Sequence, residues 1–230
     1  MATEPRRQRG NGDEAPSLTS RVYARLRQDI MDGSLSPGAR LKVEELRRQL
    51  GAGASPIREA LSLLTSDHLV ERLDQRGFRV AQVSKAEFQE LLQTRCWLEE
   101  RALRESIARG GTDWEEGVVL AHYHLTRAPR TAPKDGPPVD ADWEDLHKQF
   151  HLALLAACGS SILLRICGQL YDQNTRYRQM SRRATSGKRN IGDEHAAIKD
   201  AVLDRDADLA VERLIAHYQR TGALLADQID

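Results

Sequence analysis

The sequence predicts a mostly α-helical protein: an N-terminal winged helix-turn-helix over residues 17–83, preceded by a tail at 1–16, and a six-helix antiparallel bundle over 84–230. Three observations predict it. Apolar residues, chiefly Leu, Ala and Ile, recur every three or four positions along most of the 230 residues, and only 5% of residues are aromatic; this is the period of helices that bury one face. A tight turn of small residues, Gly51-Ala52-Gly53, separates two short helical stretches. Strand-like alternation is confined to residues 69–73 and 78–80, flanking Asp74-Gln75-Arg76-Gly77, which reads as a hairpin turn with a basic tip.

Taken in order, residues 18–31 place Val22, Leu26 and Ile30 four apart and stop at Asp32-Gly33, a helix terminator. Val43, Leu46 and Leu50 mark a short second helix. Beyond the glycine turn, Ser55 is the expected N-cap and Pro56 the first helical residue, with Glu59 close behind. Ile57, Leu61, Leu64 and His68 form the apolar stripe of this third helix, widened by Ala60 and Leu63. Arg58, Ser62, Thr65 and Ser66 are left on the opposite face. Helix, helix, tight turn, helix and hairpin make a winged helix-turn-helix, whose third helix fits the DNA major groove.

The bundle opens at Ser84, an N-cap with Glu87 three residues on. Phe88, Leu91, Leu92, Leu98, Ala102 and Ile107 carry the stripe to a stop at Gly110-Gly111. Arg95 falls on that stripe, and a guanidinium on a core face needs an anion; Glu99 is one candidate within the same helix. A second helix begins near Thr112, and four prolines between 129 and 140 predict an exposed loop. Residues 143–158 read as a helix with Trp143, His147, Phe150, Leu154 and Cys158 on one face, ended by Gly159-Ser160. The next runs from Ser161 through Ile162, Leu163, Ile166, Cys167 and Leu170, then turns polar at Asn174 and Arg178, with Tyr171 and Tyr177 alongside. Polar groups that continue a core stripe line a cavity. Residues 184–192 read as a basic connection; Asp193 is the expected cap of a helix bearing His195, Ile198 and Val202. Asp206 caps the last helix, which bears Leu209, Leu214, His217, Thr221 and Leu224.

The formal net charge is zero, but residues 1–83 hold 14 Lys/Arg against 11 Asp/Glu while the rest holds 20 against 23. That mild polarity favours a nucleic-acid face at the amino end. Three cysteines in apolar helical patterns, without paired spacing, read as free thiols of a reducing compartment. Arg6, Arg7 and Arg9 precede no apolar segment, and no run of about 18 apolar residues occurs, so neither a secretory signal nor a spanning helix is expected. The expected location is the cytoplasm.

His147 and His151, four apart, stand one turn above one another on a single helix face, and His195 and His217 come from two later helices. On spacing alone they suit either metal ligands or hydrogen-bonded structural histidines. His68 reads as core packing or a helix C-terminal charge; His122 and His124, two apart, point to different faces.

The segments Leu35-Ser36-Pro37-Gly38-Ala39-Arg40-Leu41 and Ser55-Pro56-Ile57-Arg58-Glu59-Ala60-Leu61, with the hairpin after them, resemble the DNA-binding domain of GntR-type transcriptional regulators. The helical half resembles the FCD effector domain of the FadR branch of that family, and residues 143–181 are similar to the branch linked to glutarate and related C5 dicarboxylates. The resemblance implies a dimeric repressor on double-stranded operator DNA, touched by Gly53, Ser55, Arg58, Arg76 and Gly77. The chain departs from the pattern at Ala54, where the family commonly has Arg, and at Glu44, where some members have another; losing those two cations weakens the expected base readout. The resemblance further implies a divalent metal held by His147, His151, His195 and His217. His147 stands where the family usually has Asp; an all-imidazole set favours Zn or Ni over Mg or Ca. Arg95, Asn174, Arg178 and Tyr171 become the implied contacts for a small carboxylate effector. Two other readings compete: a metal-dependent hydrolase or lyase acting on a small organic acid, and a helical interaction module whose head merely imitates a winged helix. No placed general base directly follows His147 or His195, which speaks against the enzyme.

Overall fold

The computed structural model describes residues 16–74, 76–128, 140–181 and 190–226. The expected tail, the proline loop and most of the basic connection lie outside the described residues. The chain divides into two compact units, Met1–Ile30 with Gly38–Ala81, and Met31–Pro37 with Gln82–Asp230.

The first unit holds α1 (Leu18–Met31), β1 (Arg40–Leu41), α2 (Val43–Leu50), α3 (Ala54–Ser66), β2 (Val70–Leu73) and β3 (Gly77–Val80). Val22, Leu26 and Ile30 of α1 are buried as their spacing demands, as are Ile57, Ala60, Leu61 and Leu64 of α3. Two side-chain bonds tie α1 to α3: Thr19 donates to Glu59 at 2.9 Å and Tyr23 donates to Asp67 at 2.6 Å. The wing is one strand larger than the sequence indicated. β3 pairs antiparallel with both β2 and β1, and β1 is a two-residue strand whose pairing is purely tertiary, so no local pattern announces it. In the hairpin Arg76 N–H bonds Leu73 C=O at 3.0 Å, and Gly77 follows at φ 88°, a left-handed position that makes glycine the natural occupant.

Three expectations for α3 need correction. Its N-cap is Gly53 rather than Ser55, and helical geometry starts at Ala54, so Pro56 is the third helical residue. Gly53 costs only a few tenths of a kcal/mol relative to a side-chain cap, and Ser55 spends its hydroxyl on Glu59 at 3.2 Å. Leu63 is 49% exposed, not part of the core. His68 is no core residue either: it lies past the helix end at φ 59°, exposed, where Leu69 N–H bonds Leu64 C=O and His68 N–H bonds Thr65 C=O in a Schellman-type stop.

The second unit contains α4 (Lys85–Arg109), α5 (Thr112–Arg127), α6 (Asp140–Leu155), α7 (Ser161–Ser181), α8 (Ile191–Leu203) and α9 (Ala207–Ala226), six helices and no strand among the described residues. Ser84 caps α4 as expected, accepting from Glu87 N–H at 3.1 Å. Asp206 likewise caps α9, accepting from Leu209 N–H at 3.0 Å. The cap of α8 is Asn190, not Asp193. Asn190 takes the flanking position and accepts from Asp193 N–H, leaving the Asp193 carboxylate in the first turn, where it still favours the helix dipole. Helix α6 is offset from the expected 143–158, ending at Leu155 with Cys158 buried just beyond it. Ile162 and Ile166, read as core, are exposed on α7. α4 packs against α6, α7 and α9, α8 joins α5 to α9, and the resulting core runs through Leu103, Val118, Phe150, Leu154, Ile198 and Leu214, all at most 1% exposed. All three cysteines are buried and free.

Candidate metal centre and nucleic-acid interface

α6, α8 and α9 bring four histidines together inside the bundle. His147 and His151 rise on one face of α6, His195 enters from the first turns of α8, and His217 from the middle of α9. Each offers a ring nitrogen, and the four nitrogens lie within 4.8 Å of one another. His147 Nε2 stands 3.1 Å from both His195 Nε2 and His151 Nε2. Imidazole nitrogens bound to one Zn²⁺ at about 2.0–2.1 Å stand roughly 3.0–3.4 Å apart, so the donor set fits a transition-metal ion. All four rings are buried. Burial holds His147 and His151 well below the usual histidine range and pushes His195 down to about 2, with neighbouring histidines and Arg178 adding to the effect. His147, His151 and His195 are therefore neutral, the form that ligates.

A second layer of side chains, unforeseen in the sequence, orients these rings. Glu194 accepts from His217 Nδ1 at 2.8 Å, and the Tyr218 hydroxyl sits 3.0 Å from His151 Nδ1 while donating to Glu99 at 2.5 Å. A carboxylate or hydroxyl behind an imidazole is the usual support of a ligating histidine. Glu194 had a signal, since it precedes His195 at the start of α8. Glu144 had one too, lying three residues before His147 on the same face.

The expected effector contacts converge beside the histidines. Arg95, Tyr171, Asn174 and Arg178 line one cleft with Leu92, His147, His151 and Tyr218. Arg95 is 2% exposed and pairs with Glu99 at 2.8 Å, the intrahelical partner foreseen for it, yet its Nη2 has no partner. Burial by itself would lower the Arg95 pKa, but Glu99 together with Tyr218 and Tyr171 more than offsets this and the group stays a cation. Arg178 bonds Glu144, Tyr171, Thr175 and His147, leaving its Nε buried without a partner. Burial pushes the Tyr171 phenol up to about 12, keeping it protonated.

In the first unit, the outward face of α3 presents Ser55, Arg58 and Ser62, which together with Thr19, Glu59 and Leu63 border a shallow concavity. Arg58 is exposed and engages no ion pair among the described residues, so the intrahelical carboxylate partner that would explain it structurally is not there. Arg76 and Gly77 are exposed at the wing turn, and Gly53 at the start of α3.

Residues 18–80 match the signature of bacterial regulatory proteins of the gntR family, and residues 90–220 match the FCD domain. The chain belongs to the GntR family and carries an FCD domain. Among curated relatives, this GntR regulator is 36% identical to the uncharacterized HTH-type transcriptional regulator BphR of Paraburkholderia xenovorans, over 88% of this chain and 83% of that one. It is 34% identical to the HTH-type transcriptional repressor GlaR of Escherichia coli, over 85% and 90%. The solved structure of E. coli McbR/YncC superposes with a TM-score of 0.73 at 24% identity, covering 93% of this chain and 99% of that chain, a likeness of fold. These relatives are transcription regulators, and they set the enzyme reading aside. No helix among the described residues is long and apolar enough to cross a membrane.

Proposed function

We propose that this regulator is a cytoplasmic, homodimeric repressor. Residues 17–83 grip a pseudo-palindromic operator, residues 84–230 dimerise and bind a small carboxylate beside a divalent metal, Zn²⁺ or Ni²⁺ suiting the imidazole set best, and carboxylate binding loosens the DNA. The observation that carries the reading is the outward face of α3, where an unpaired Arg58 and two serines are exposed while Ile57, Leu61 and Leu64 are sealed in the core. Arg58 serves a base edge or phosphate, Ser55 a phosphate, Arg76 the minor groove beside the wing, and Gly53 and Gly77 the close approach of backbone. GlaR is named a repressor, which supports the direction of control.

For the effector, charge decides the order of events. Arg95 pairs with Glu99 and Arg178 with Glu144, so each guanidinium is already balanced by a carboxylate within the site. A divalent ion adds positive charge beyond that balance, so an anion is drawn in once the metal is bound. A C5 dicarboxylate such as glutarate is the first candidate, one carboxylate on the metal and the other toward the guanidiniums. DNA binding tests the whole reading: a promoter fragment from beside the protein's own coding region is titrated by fluorescence anisotropy across salt concentrations. Wild type should prefer it strongly over random DNA, and Arg58→Ala should lose about 1–3 kcal/mol of that preference. Equal, salt-dependent affinity of wild type for both duplexes sinks the proposal.

A further inference from the structure

The two guanidiniums of the cleft are held unequally. Arg95 Nε donates to Glu99 at 2.8 Å, and the other oxygen of Glu99 accepts from the Tyr218 hydroxyl at 2.5 Å, so this carboxylate is fastened from two sides. Arg95 nevertheless keeps its Nη2 without a partner while it lines the cleft. Arg178 is in the opposite condition. Its Nη2 donates to Glu144, Tyr171 and Thr175, and the Glu144 carboxylate reaches it from a different helix, α6, near that helix's start. A carboxylate of the chain itself thus sits where the carboxylate of a ligand would go. The cleft is correspondingly closed: its side chains leave a space of about 10 Å³, room for one water at most, so a diacid enters only if a side chain gives way. The network decides which one. Removing Glu99 breaks bonds from both Arg95 and Tyr218 and strands a cation only 2% exposed. Removing Glu144 frees a guanidinium that the incoming carboxylate satisfies at once, and this pair, 15% and 7% exposed, lies nearer to solvent.

We propose that Glu144 is a tethered competitor in the effector site: its carboxylate occupies the anion subsite on Arg178, and one carboxylate of a dicarboxylate binds there by evicting it while the other stays with the metal. The inference rests on the effector reading above. It makes Glu144 a determinant of specificity, because a monocarboxylate held at the metal end offers Arg178 nothing in exchange for Glu144, whereas a dicarboxylate long enough to reach Arg178 replaces one ion pair by another. It also connects the effector to the helices. Glu144 is the tie between α6 and Arg178 of α7, so its eviction changes how those two helices are joined, and the ligand thereby favours one arrangement of the bundle over another.

The test is calorimetric titration of full-length, Zn²⁺-loaded protein with glutarate and, separately, with butyrate, which has one carboxylate fewer. Glu144→Gln keeps the shape of the side chain and removes its charge. The variant should bind glutarate about 10- to 100-fold more tightly than wild type does, the worth of one hydrogen bond to a charged group that no longer has to be given up. Its gain for butyrate should be much smaller, which separates release of the Arg178 subsite from a general easing of anion repulsion. Arg178→Met/Glu144→Gln, which removes the pair together and so leaves no buried charge alone, should bind glutarate no better than butyrate; it also carries the test if Glu144→Gln alone fails to fold. Equal gains for the two acids in Glu144→Gln, a loss of glutarate affinity there, or a retained preference for glutarate in the double variant overturns the competitor and leaves the effector reading standing. Binding of neither acid to any of the proteins overturns both.

Discussion

A single carboxylate illustrates how much of the centre depends on atoms one step removed from the ligands. Glu194 is largely buried and holds His217 Nδ1–H at 2.8 Å, with Arg220 near its second oxygen at 3.6 Å. It fixes the ring's tautomer and makes Nε2 more basic. Glu194→Gln keeps an acceptor in place but removes the charge, and metal affinity should fall about 10- to 100-fold with the fold intact; chelator competition together with circular dichroism checks both halves, and an unchanged affinity would remove Glu194 from the site. The four histidines themselves were legible, because spacing of four on α6 and apolar neighbours on α8 and α9 force them inward. The contact between His147 and Arg178 was not. Arg178 lies 31 residues away in sequence, and no periodicity encodes that contact. Arg95 was legible as a buried cation with Glu99 as one candidate partner, but the stripe could not decide between that pair and an effector contact.

At the scale of elements, the bundle's first turn shows what a close approach requires. Gly110 ends α4, and a Cβ there would stand 2.1 Å from the Trp114 ring and 2.7 Å from Ser106 C=O. Trp114 cannot give way easily, because its indole N–H donates to Ala153 C=O at 2.9 Å and so fastens α5 to α6. Gly111, the N-cap of α5, has nothing within 4 Å of the same position. Gly110→Ala should therefore destabilise the protein by about 1–3 kcal/mol through overpacking, whereas Gly111→Ala loses only a fraction of that; urea midpoints of the two variants decide, and equal midpoints would mean that the α4–α5 corner is plastic. Sequence pattern marked this corner as a stop but could not rank its two glycines. The same limit explains the caps: Asn190 and Asp193, or Gly53 and Ser55, are competent at neighbouring positions, and the choice rests on differences of a few tenths of a kcal/mol to about 1 kcal/mol that the rest of the fold overrides. A helix's existence is written in a dozen residues, its first residue in one or two.

For the molecule as a whole, the interior of the effector half is polar for its size, and that polarity should surface as acid sensitivity. His147, His151 and His195 are buried and held below the usual histidine range, chiefly by burial. Unfolded, each titrates near about 6.5; folded, each stays neutral until much lower pH. The sign follows directly. Above about pH 6.5 neither state binds these protons and stability is flat; below it the unfolded chain takes up protons that the native state refuses, so stability is lost as pH falls from about 6.5 toward the lowered folded values. Each histidine contributes at most about 1.4 kcal/mol per pH unit to that slope. Metal-chelated protein should accordingly show a urea midpoint that drops steadily from pH 7 to pH 5, and His195→Gln should flatten the slope, since the substitution removes one proton site from the unfolded chain. A midpoint independent of pH over this window would mean that water or a local opening already solvates the cluster. Such an opening would weaken the carboxylate proposal as well, because the attraction between an anion and the guanidiniums of Arg95 and Arg178 depends on the same exclusion of solvent.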